Sequence, residues 1–253
     1  MKSVSRGIVY TSFGHAYNRY TKLSIRSLRR KGKYRGPIRL LTNLPQDFAE
    51  YGKECEIIHV SQDGASDFFQ SRFFKTQLNV YDFEETLFID SDCLIIKPIA
   101  SVWSYLDNCD IAMAINKRQI AELSREYFSF LYPPQEVQLM ETTGLLNHYQ
   151  YNSGVILFRK NDRVDKLFKE WHREWLKFGK YDQFALIRAL DLTKTVPHIL
   201  DNDYNYQFIH SRPLKDIVIV HCLGLRSKDE AIYNASDYFL FKFIRRIKKY
   251  FLK

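Results

Sequence analysis

The stretch "ETLFIDSDCLIIKP", residues 85 to 98, begins as an apolar strand, breaks at two aspartates with a serine between them, and resumes as a second apolar run. A short continuous apolar run of this kind reads as a strand buried on both faces, as in parallel sheets. Side chains alternate along a strand, so Asp90 and Asp92 point the same way if the extended geometry continues through Ser91. In open α/β sheets ligands bind beyond the carboxyl ends of the strands, which is where these acids fall. Two uncompensated carboxylates there would repel one another and be costly to desolvate, and a divalent cation relieves both problems. Hard oxygen ligands select Mg2+ or Mn2+, ions that keep positions open for substrate phosphates. An acidic triplet alone is weak evidence: Asp201, Asn202 and Asp203 repeat the spacing in LDNDYNYQF, and a solvated turn is the plain reading of an isolated copy. The first copy is set apart by the apolar TLFI in front of it.

The segments around this stretch alternate in the manner of a doubly wound, mostly parallel α/β sheet. GIVYTSF (7 to 13) reads as a strand, and Tyr17 to Arg30 as a helix with Tyr20, Leu23, Ser24, Ser27 and Leu28 on its inner stripe. IRLLTN (38 to 43) follows the turn residues Gly36 and Pro37, and EIIHV (56 to 60) is another strand. Phe68 to Tyr81 is expected to be helical, with Phe74, Leu78 and Tyr81 on one face, before the strand TLFID (86 to 90). DIAMAIN (110 to 116), GVILFRK (154 to 160) and DIVIVHC (216 to 222) are further strand candidates. The long irregular stretch between the first two of these, with Pro133, Pro134 and Gly144, is expected to be a lid or substrate-binding insert. NDRVDKLFKEWHREWLKF (161 to 178) is the clearest amphipathic helix, capped at Asn161 or Asp162 and apolar at Val164, Leu167, Phe168, Trp171 and Trp175. His172, beside that stripe, reads as a surface or boundary histidine.

A chain of 253 residues, 45% hydrophobic and 15% aromatic, has enough apolar surface to bury a large core and is not disordered. The start, MKSVSRGIVYTSF, runs into strand-like sequence without an apolar leader, and no run of about twenty apolar residues occurs. Cys55, Cys93, Cys109 and Cys222 are far apart, lack CxxC spacing and sit in apolar company, which fits reduced thiols and a cytoplasmic location. The net charge of +9 concentrates in RSLRRKGKYRGPIR (26 to 39) and FKFIRRIKKYFLK (241 to 253). Charge alone does not choose among nucleic acid, anionic lipid, phosphorylated substrate and solvated surface. No zinc-finger spacing, RNP-like motif or basic zipper is present, so nucleic acid is not an expected partner. From Asp237 to Lys253, Leu240, Ile244, Ile247 and Phe251 share a helical face while Lys242, Arg245, Arg246, Lys248 and Lys249 lie mostly elsewhere. Such a helix either rests on an anionic membrane surface or packs against protein.

SRFFKTQL (71 to 78), the acidic triplet, YNSGVILF (151 to 158), YDQFAL (181 to 186) and VIVHCLG (218 to 224) occur in the order found in the glycogenin-like retaining glycosyltransferases. The chain resembles that family from about Ile8 to Gly224. The resemblance implies a single GT-A, Rossmann-like nucleotide-sugar-binding domain over residues 1–230, followed by the basic tail 231–253. It implies that Asp90 and Asp92 ligate Mn2+ or Mg2+ and that His221, in an HxxG loop, completes the protein ligands. A neutral imidazole can join two carboxylates while diphosphate oxygens fill the remaining positions. The resemblance sets Thr11 and Tyr17 in a nucleotide-binding segment, where Tyr17 either stacks on the base or anchors the helix entry. Lys75, with Arg72 as the nearby alternative, becomes the basic residue touching sugar or diphosphate, and Ser91 and Gly224 fall to the nucleotide. Asn152 and Ser153 would face the donor sugar, with Gly154 allowing close backbone approach. Asp182 and Gln183 would lie beside the anomeric carbon, unless Asp182 only caps the helix that follows. The sequence departs from the family after HCLG: the usual lysine six residues past the histidine is Ser227, between Arg226 and Lys228, either of which can neutralise the departing diphosphate.

The implied activity is transfer of a sugar, with retention, from a nucleoside diphosphate sugar, first of all a UDP-sugar, to a hydroxyl of a glycan, lipid-linked or protein acceptor. A nucleotidyltransferase also sets metal-binding aspartates on an α/β sheet, but it would want a glycine-rich basic loop after the first strand, and SFGHAYNRY is a poor one. A catalytically inactive binder of anionic glycans is the third reading. The joint presence of Asp90, Asp92, His221, Asp182 and Gln183 speaks against it.

Overall fold

The computed structural model describes residues 5–119, 131–207 and 216–222. Among them the strands are β1 (Arg6–Ser12), β2 (Ile38–Thr42), β3 (Glu56–His59), β4 (Glu85–Ile89), β5 (Cys93–Ile95), β6 (Ile111–Gln119), β7 (Tyr149–Arg159), β8 (His198–Ile199), β9 (Tyr206–Gln207) and β10 (Ile219–His221). The α-helices are α1 (His15–Arg30), α2 (Asp67–Lys75), α3 (Pro134–Thr142), α4 (Asp162–Leu176) and α5 (Asp182–Thr193). Seven strands form the main sheet in the order β3-β2-β1-β4-β7-β6-β8, and β5-β10-β9 form a second, three-stranded one. β1, β2, β3 and β4 run parallel, β7 runs antiparallel to both β4 and β6, and β6 is parallel to β8. The architecture is therefore the mostly parallel α/β sheet expected from the alternation of elements.

Period-two alternation builds two cores, one on each face of the sheet. Ile8 and Tyr10 of β1, Leu87 and Ile89 of β4, and Val155 and Leu157 of β7 pack with Ile25 and Leu28 of α1. Val9, Phe88, Ile156 and Phe158 face the other way, onto Val164, Leu167, Phe168, Trp171 and Trp175 of α4. Burying one such side chain as fully as Phe168 contributes roughly 1.5–3 kcal/mol, which is why strands with no polar face are stable only between helical layers. Asn161 caps α4, its side-chain oxygen accepting the Val164 N–H at 3.0 Å.

Three expectations are corrected. The buried residues of α1 are Asn18, Thr21, Ser24, Ile25, Ser27 and Leu28, so Ser24, Ser27 and Leu28 face inward as expected, while Leu23 is exposed and Asn18, Thr21 and Ile25 take the remaining inner positions. The helix expected over 68–81 ends at Lys75, where the Thr76 hydroxyl donates back to the carbonyls of Arg72 and Phe73, and a short 3-10 turn spans Leu78–Val80. The strand expected over 216–222 pairs only over Ile219–His221. The basic tail, including residues 237–253, lies outside the described residues, as do Gly224, Arg226 and Lys228.

Candidate active site

The acidic triplet does not continue β4. Asp90 N donates to Gly154 O at 2.8 Å and Cys93 N to Asp90 O at 3.1 Å, so residues 90–93 turn and feed β5. The turn, not strand alternation, aims the two carboxylates. Pairing then supplies the histidine: β10 runs antiparallel to β5 with His221 opposite Cys93, and Cys222 N donates to Asp92 O at 3.0 Å. His221 Nε2 lies 3.4 Å from Asp92 Oδ1 and 3.9 Å from Asp90 Oδ2. Adjacent ligands on an octahedral ion with bonds of about 2.1 Å stand about 3 Å apart. The two distances from His221 to the carboxylates are compatible with that spacing, Asp92 more closely than Asp90. Cys93 Sγ is close to the Asp92 and His221 donors, but burial, helped by the nearby carboxylates, pushes its thiol well above the ordinary range. In the metal-free protein the thiol is directed at the Gly154 carbonyl, and hard divalent ions prefer the carboxylate oxygens and imidazole nitrogen beside it.

Behind the acids stands Lys75, buried at the end of α2. Its Nζ is 2.9 Å from Asp90 Oδ2 and 3.9 Å from Asp182 Oδ2. Burial works against the ammonium, but Asp90 and Asp182 outweigh it and hold its pKa above the ordinary lysine value. Burial pushes the Asp90 carboxyl up against the pull of Lys75. Asp182 goes the other way: burial is outweighed by Lys75, Arg72 and a 2.7 Å hydrogen bond from Ser153 Oγ, so its pKa falls below the usual value and it remains a carboxylate. It is the first residue of α5, one past the N-cap Tyr181, and so carries a negative charge in the first turn of that helix as well as facing Lys75. Burial lowers the pKa of His221, but Asp92 and Asp90 outweigh that and raise it.

β7 brings the next group together through an irregularity. Its register with β6 jumps from Met113↔Ile156 to Ala114↔Asn152, and such bulges re-aim side chains beside active sites. The jump turns Ser153 to Asp182. It also places Gly154 against the imidazole, where an added Cβ would stand 2.1 Å from His221 Cε1. The close approach that Gly154 permits is that of His221. Asn152 is buried, with Oδ1 accepting from Gly154 N and Asn205 Nδ2 and Nδ2 reaching Asn116. Gln183 accepts a 2.7 Å hydrogen bond from Gln150 Nε2.

On β1, two residues beyond the Val9–Phe88 pair are Thr11 and Asp90, so Thr11 ends its strand beside the acidic turn. Tyr17 lies half-buried in the first turn of α1, after Gly14, whose φ is +79° and whose added Cβ would stand 2.1 Å from Asp67 Oδ2. Arg72 lies over the Phe68 ring and bonds Ser71, one helical turn before Lys75. Ser91 sits partly exposed on the acidic turn. The second acidic triplet belongs to a turn: Tyr105 OH donates to Asp201 Oδ2, and Asp203 O accepts from Val218 N. Sequence reasoning missed Asn116, Gln150, Asn205 and Gln207. The available signal was amides at period two, Gln150 and Asn152 in YQYN and Asn205 and Gln207 in NYQ.

By sequence, no family model and no curated protein matches the chain. By structure, it is similar to the bifunctional glycosyltransferase WbbM in its apo form, with a TM-score of 0.57 at 15% identity over 88% of this chain and 46% of that one. It is similar to apo mouse xyloside xylosyltransferase 1, with a TM-score of 0.55 at 14% identity over 85% of this chain and 97% of that one. It is also similar to the galactosyltransferase LgtC in complex with donor and acceptor sugar analogs, with a TM-score of 0.55 at 16% identity over 92% and 94%. The chain thus spans less than half of WbbM and nearly all of the other two. At these identities the likeness is one of fold, and the fold is GT-A.

Proposed function

We propose that this GT-A chain is a metal-dependent glycosyltransferase that moves a sugar, with retention, from a nucleoside diphosphate sugar to an acceptor hydroxyl. The observation that carries the reading is the approach of two carboxylates to His221 Nε2, Asp92 at 3.4 Å and Asp90 at 3.9 Å, at the carboxyl end of a buried strand. Asp90, Asp92 and His221 would hold Mn2+ or Mg2+, which when bound supplies positive charge to the diphosphate leaving group. Lys75 is the protein's own cation at this site, and its held charge favours the same departing anion. Asp182, kept ionised by Lys75, Arg72 and Ser153, is a fixed negative charge suited to the positive character that develops at the anomeric carbon. Gln183 and Asn152 follow from the family resemblance, as do the UDP-sugar donor and the nucleotide-side roles of Thr11, Tyr17, Arg72, Ser91, Ser153, Gly224, Arg226 and Lys228. Glycan, lipid-linked and protein acceptors all offer the required hydroxyl. The charge and periodicity of residues 237–253 support contact with a membrane surface from the cytoplasmic side, and salt-sensitive liposome pelleting that survives their deletion would end that part. Among the described residues no helix is long and apolar enough to cross a membrane. The nucleotidyltransferase reading loses ground, because the Asp67 carboxylate packs against Gly14 in the loop where a phosphate cradle would be.

Release of UDP from a panel of UDP-sugars tests the proposal. Turnover is expected with Mn2+, to vanish with EDTA and to fall at least a hundredfold in Asp92→Asn. No metal-dependent turnover with any nucleoside diphosphate sugar would defeat it.

A further inference from the structure

A file of amides, buried at Asn205, Asn152 and Gln150 and partly exposed at Asn116 and Gln183, runs behind the ligand candidates. His221 Nδ1 is 3.0 Å from Asn205 Oδ1, Asn205 Nδ2 is 3.0 Å from Asn152 Oδ1, and that same oxygen accepts the Gly154 backbone N–H at 2.8 Å. In the other direction Asn152 Nδ2 reaches Asn116 Oδ1 at 3.4 Å, Asn116 Nδ2 reaches Gln150 Oε1 at 3.2 Å, and Gln150 Nε2 reaches Gln183 Oε1 at 2.7 Å.

The two ends of a carboxamide have nearly the same shape, so a network made only of amides can run in either direction. Gly154 removes that freedom, because a backbone N–H can only donate. The Asn152 atom facing it must be the oxygen. Asn205 must then offer its NH2 to that oxygen, which turns Asn205 Oδ1 toward His221. An acceptor at that place requires the imidazole proton on Nδ1. Nε2 faces Asp92 and Asp90 and can carry a second proton toward them in the metal-free protein; with Nδ1–H held by Asn205, it is the Nε2 proton that a metal displaces, leaving that nitrogen's lone pair to the ion. The reversed arrangement would set two donors face to face in a buried site, a loss of about 1–3 kcal/mol. The same polarity carries outward to Gln183, whose carbonyl is engaged by Gln150 and whose NH2 is left for a substrate.

We propose that Asn205 and Asn152 are positioning residues which, anchored by the Gly154 N–H, hold His221 as its Nδ1–H tautomer so that Nε2 is the metal-binding atom. The inference rests on reading His221 as a metal ligand. Partners of this kind behind a ligating histidine typically change metal affinity 10- to 100-fold when removed.

Two measurements on the full chain test it. Long-range 15N–1H correlation of the imidazoles in metal-free wild-type protein at alkaline pH, with His221 assigned by its loss in His221→Gln, is expected to report Nδ1–H. An Nε2–H tautomer overturns the proposal without need of any Asn205 variant or of metal. Titration of free Mn2+ followed by electron paramagnetic resonance, with no donor present, is expected to show affinity about 10- to 100-fold weaker in Asn205→Leu. The Asn205→Leu protein is also expected to lose the fixed Nδ1–H signal in the imidazole correlation spectrum, a change that a packing role would not give. Equal affinity in wild type and a folded Asn205→Leu overturns it. Wild-type protein that binds no Mn2+ sinks the metal reading of the site instead, while the tautomer measurement still decides the inference.

Discussion

Lys75 stands between two acids, 2.9 Å from one oxygen of Asp90 and 3.9 Å from one of Asp182, and both partners raise its pKa against burial. Its charge therefore persists through the neutral range in the metal-free protein. Removing one partner of a buried pair leaves the other uncompensated, typically at about 3–5 kcal/mol. Asp90 keeps 24% of its side chain exposed, so Lys75→Met is expected at the low end, about 3 kcal/mol, read as a fall in urea midpoint. Adding Asp90→Asn should recover most of the loss, because the stranded charge goes with it. A Lys75→Met midpoint equal to wild type would show that the pair contributes nothing. At this scale Asp90, Asp92 and His221 stood out as polar residues at the ends of apolar strands, while Lys75, at the end of α2, and Asp182, at the start of α5, were singled out only through the family resemblance. The amides Asn116, Asn205 and Gln207 were not legible, because amides are ordinary loop residues and only the fold reveals that these are packed against one another. Gly154 was legible as a close approach but not as a seat for the imidazole, since its neighbour comes from a strand 65 residues or more further along the chain.

α4 is the element the sequence described best, because Val164, Leu167, Phe168, Trp171 and Trp175 repeat at helical spacing and all five are buried. Its tryptophans also do positional work: Trp171 Nε1 donates to Asp182 O and Trp175 Nε1 to Lys180 O, each at 2.9 Å, so the helix fixes the turn that starts α5. α1 was legible as a helix and in part in its facing: Ser24, Ser27 and Leu28 are buried as expected, whereas Leu23 is exposed and Thr21, bonded to Ser12 Oγ, is buried instead. His172 ties α4 to the end of α2, with Nδ1 2.7 Å from Thr76 Oγ1 and the ring edge-on to Phe73. Burial lowers its pKa from 6.5, so the folded protein holds it neutral where the unfolded chain would be protonated. Stability from this residue is present above 6.5 and is lost as pH falls from there toward the lower folded pKa. The urea midpoint of wild type is expected to drop more than that of His172→Gln between about pH 7.5 and about pH 5. Parallel profiles for the two proteins would rule the contribution out.

The whole molecule gathers its candidate site from the carboxyl ends of β1 and β4, from α2, β7 and α5, and from the second sheet through β10. Strand order is the part that no local pattern encodes: β7, antiparallel to both of its neighbours, lies between β4 and β6 and carries Ser153 and Gly154 to the acids. The basic cluster at 26–39 has a structural account, for Arg26, Arg29 and Arg39 pair with Glu50, Glu54 and Glu56 within the fold. A ligand seated on so many elements stabilises all of them together. At a free concentration about a hundred times its Kd it adds about 2.7 kcal/mol, and for a chain of this size about 2–4 °C of melting temperature accompanies each kcal/mol. UDP with Mn2+ is therefore expected to raise the melting temperature by about 5–10 °C. The metal is expected to matter more than additively, since the diphosphate and the protein's acids would share it. In Asp92→Asn the increment due to Mn2+ should disappear while any shift from UDP alone remains, because the nucleotide contacts proposed for the β1 side would not involve that carboxylate. An equal UDP shift in Mn2+ and in EDTA would separate the nucleotide from the acidic turn and leave the convergence of Asp90, Asp92 and His221 without its assigned ligand.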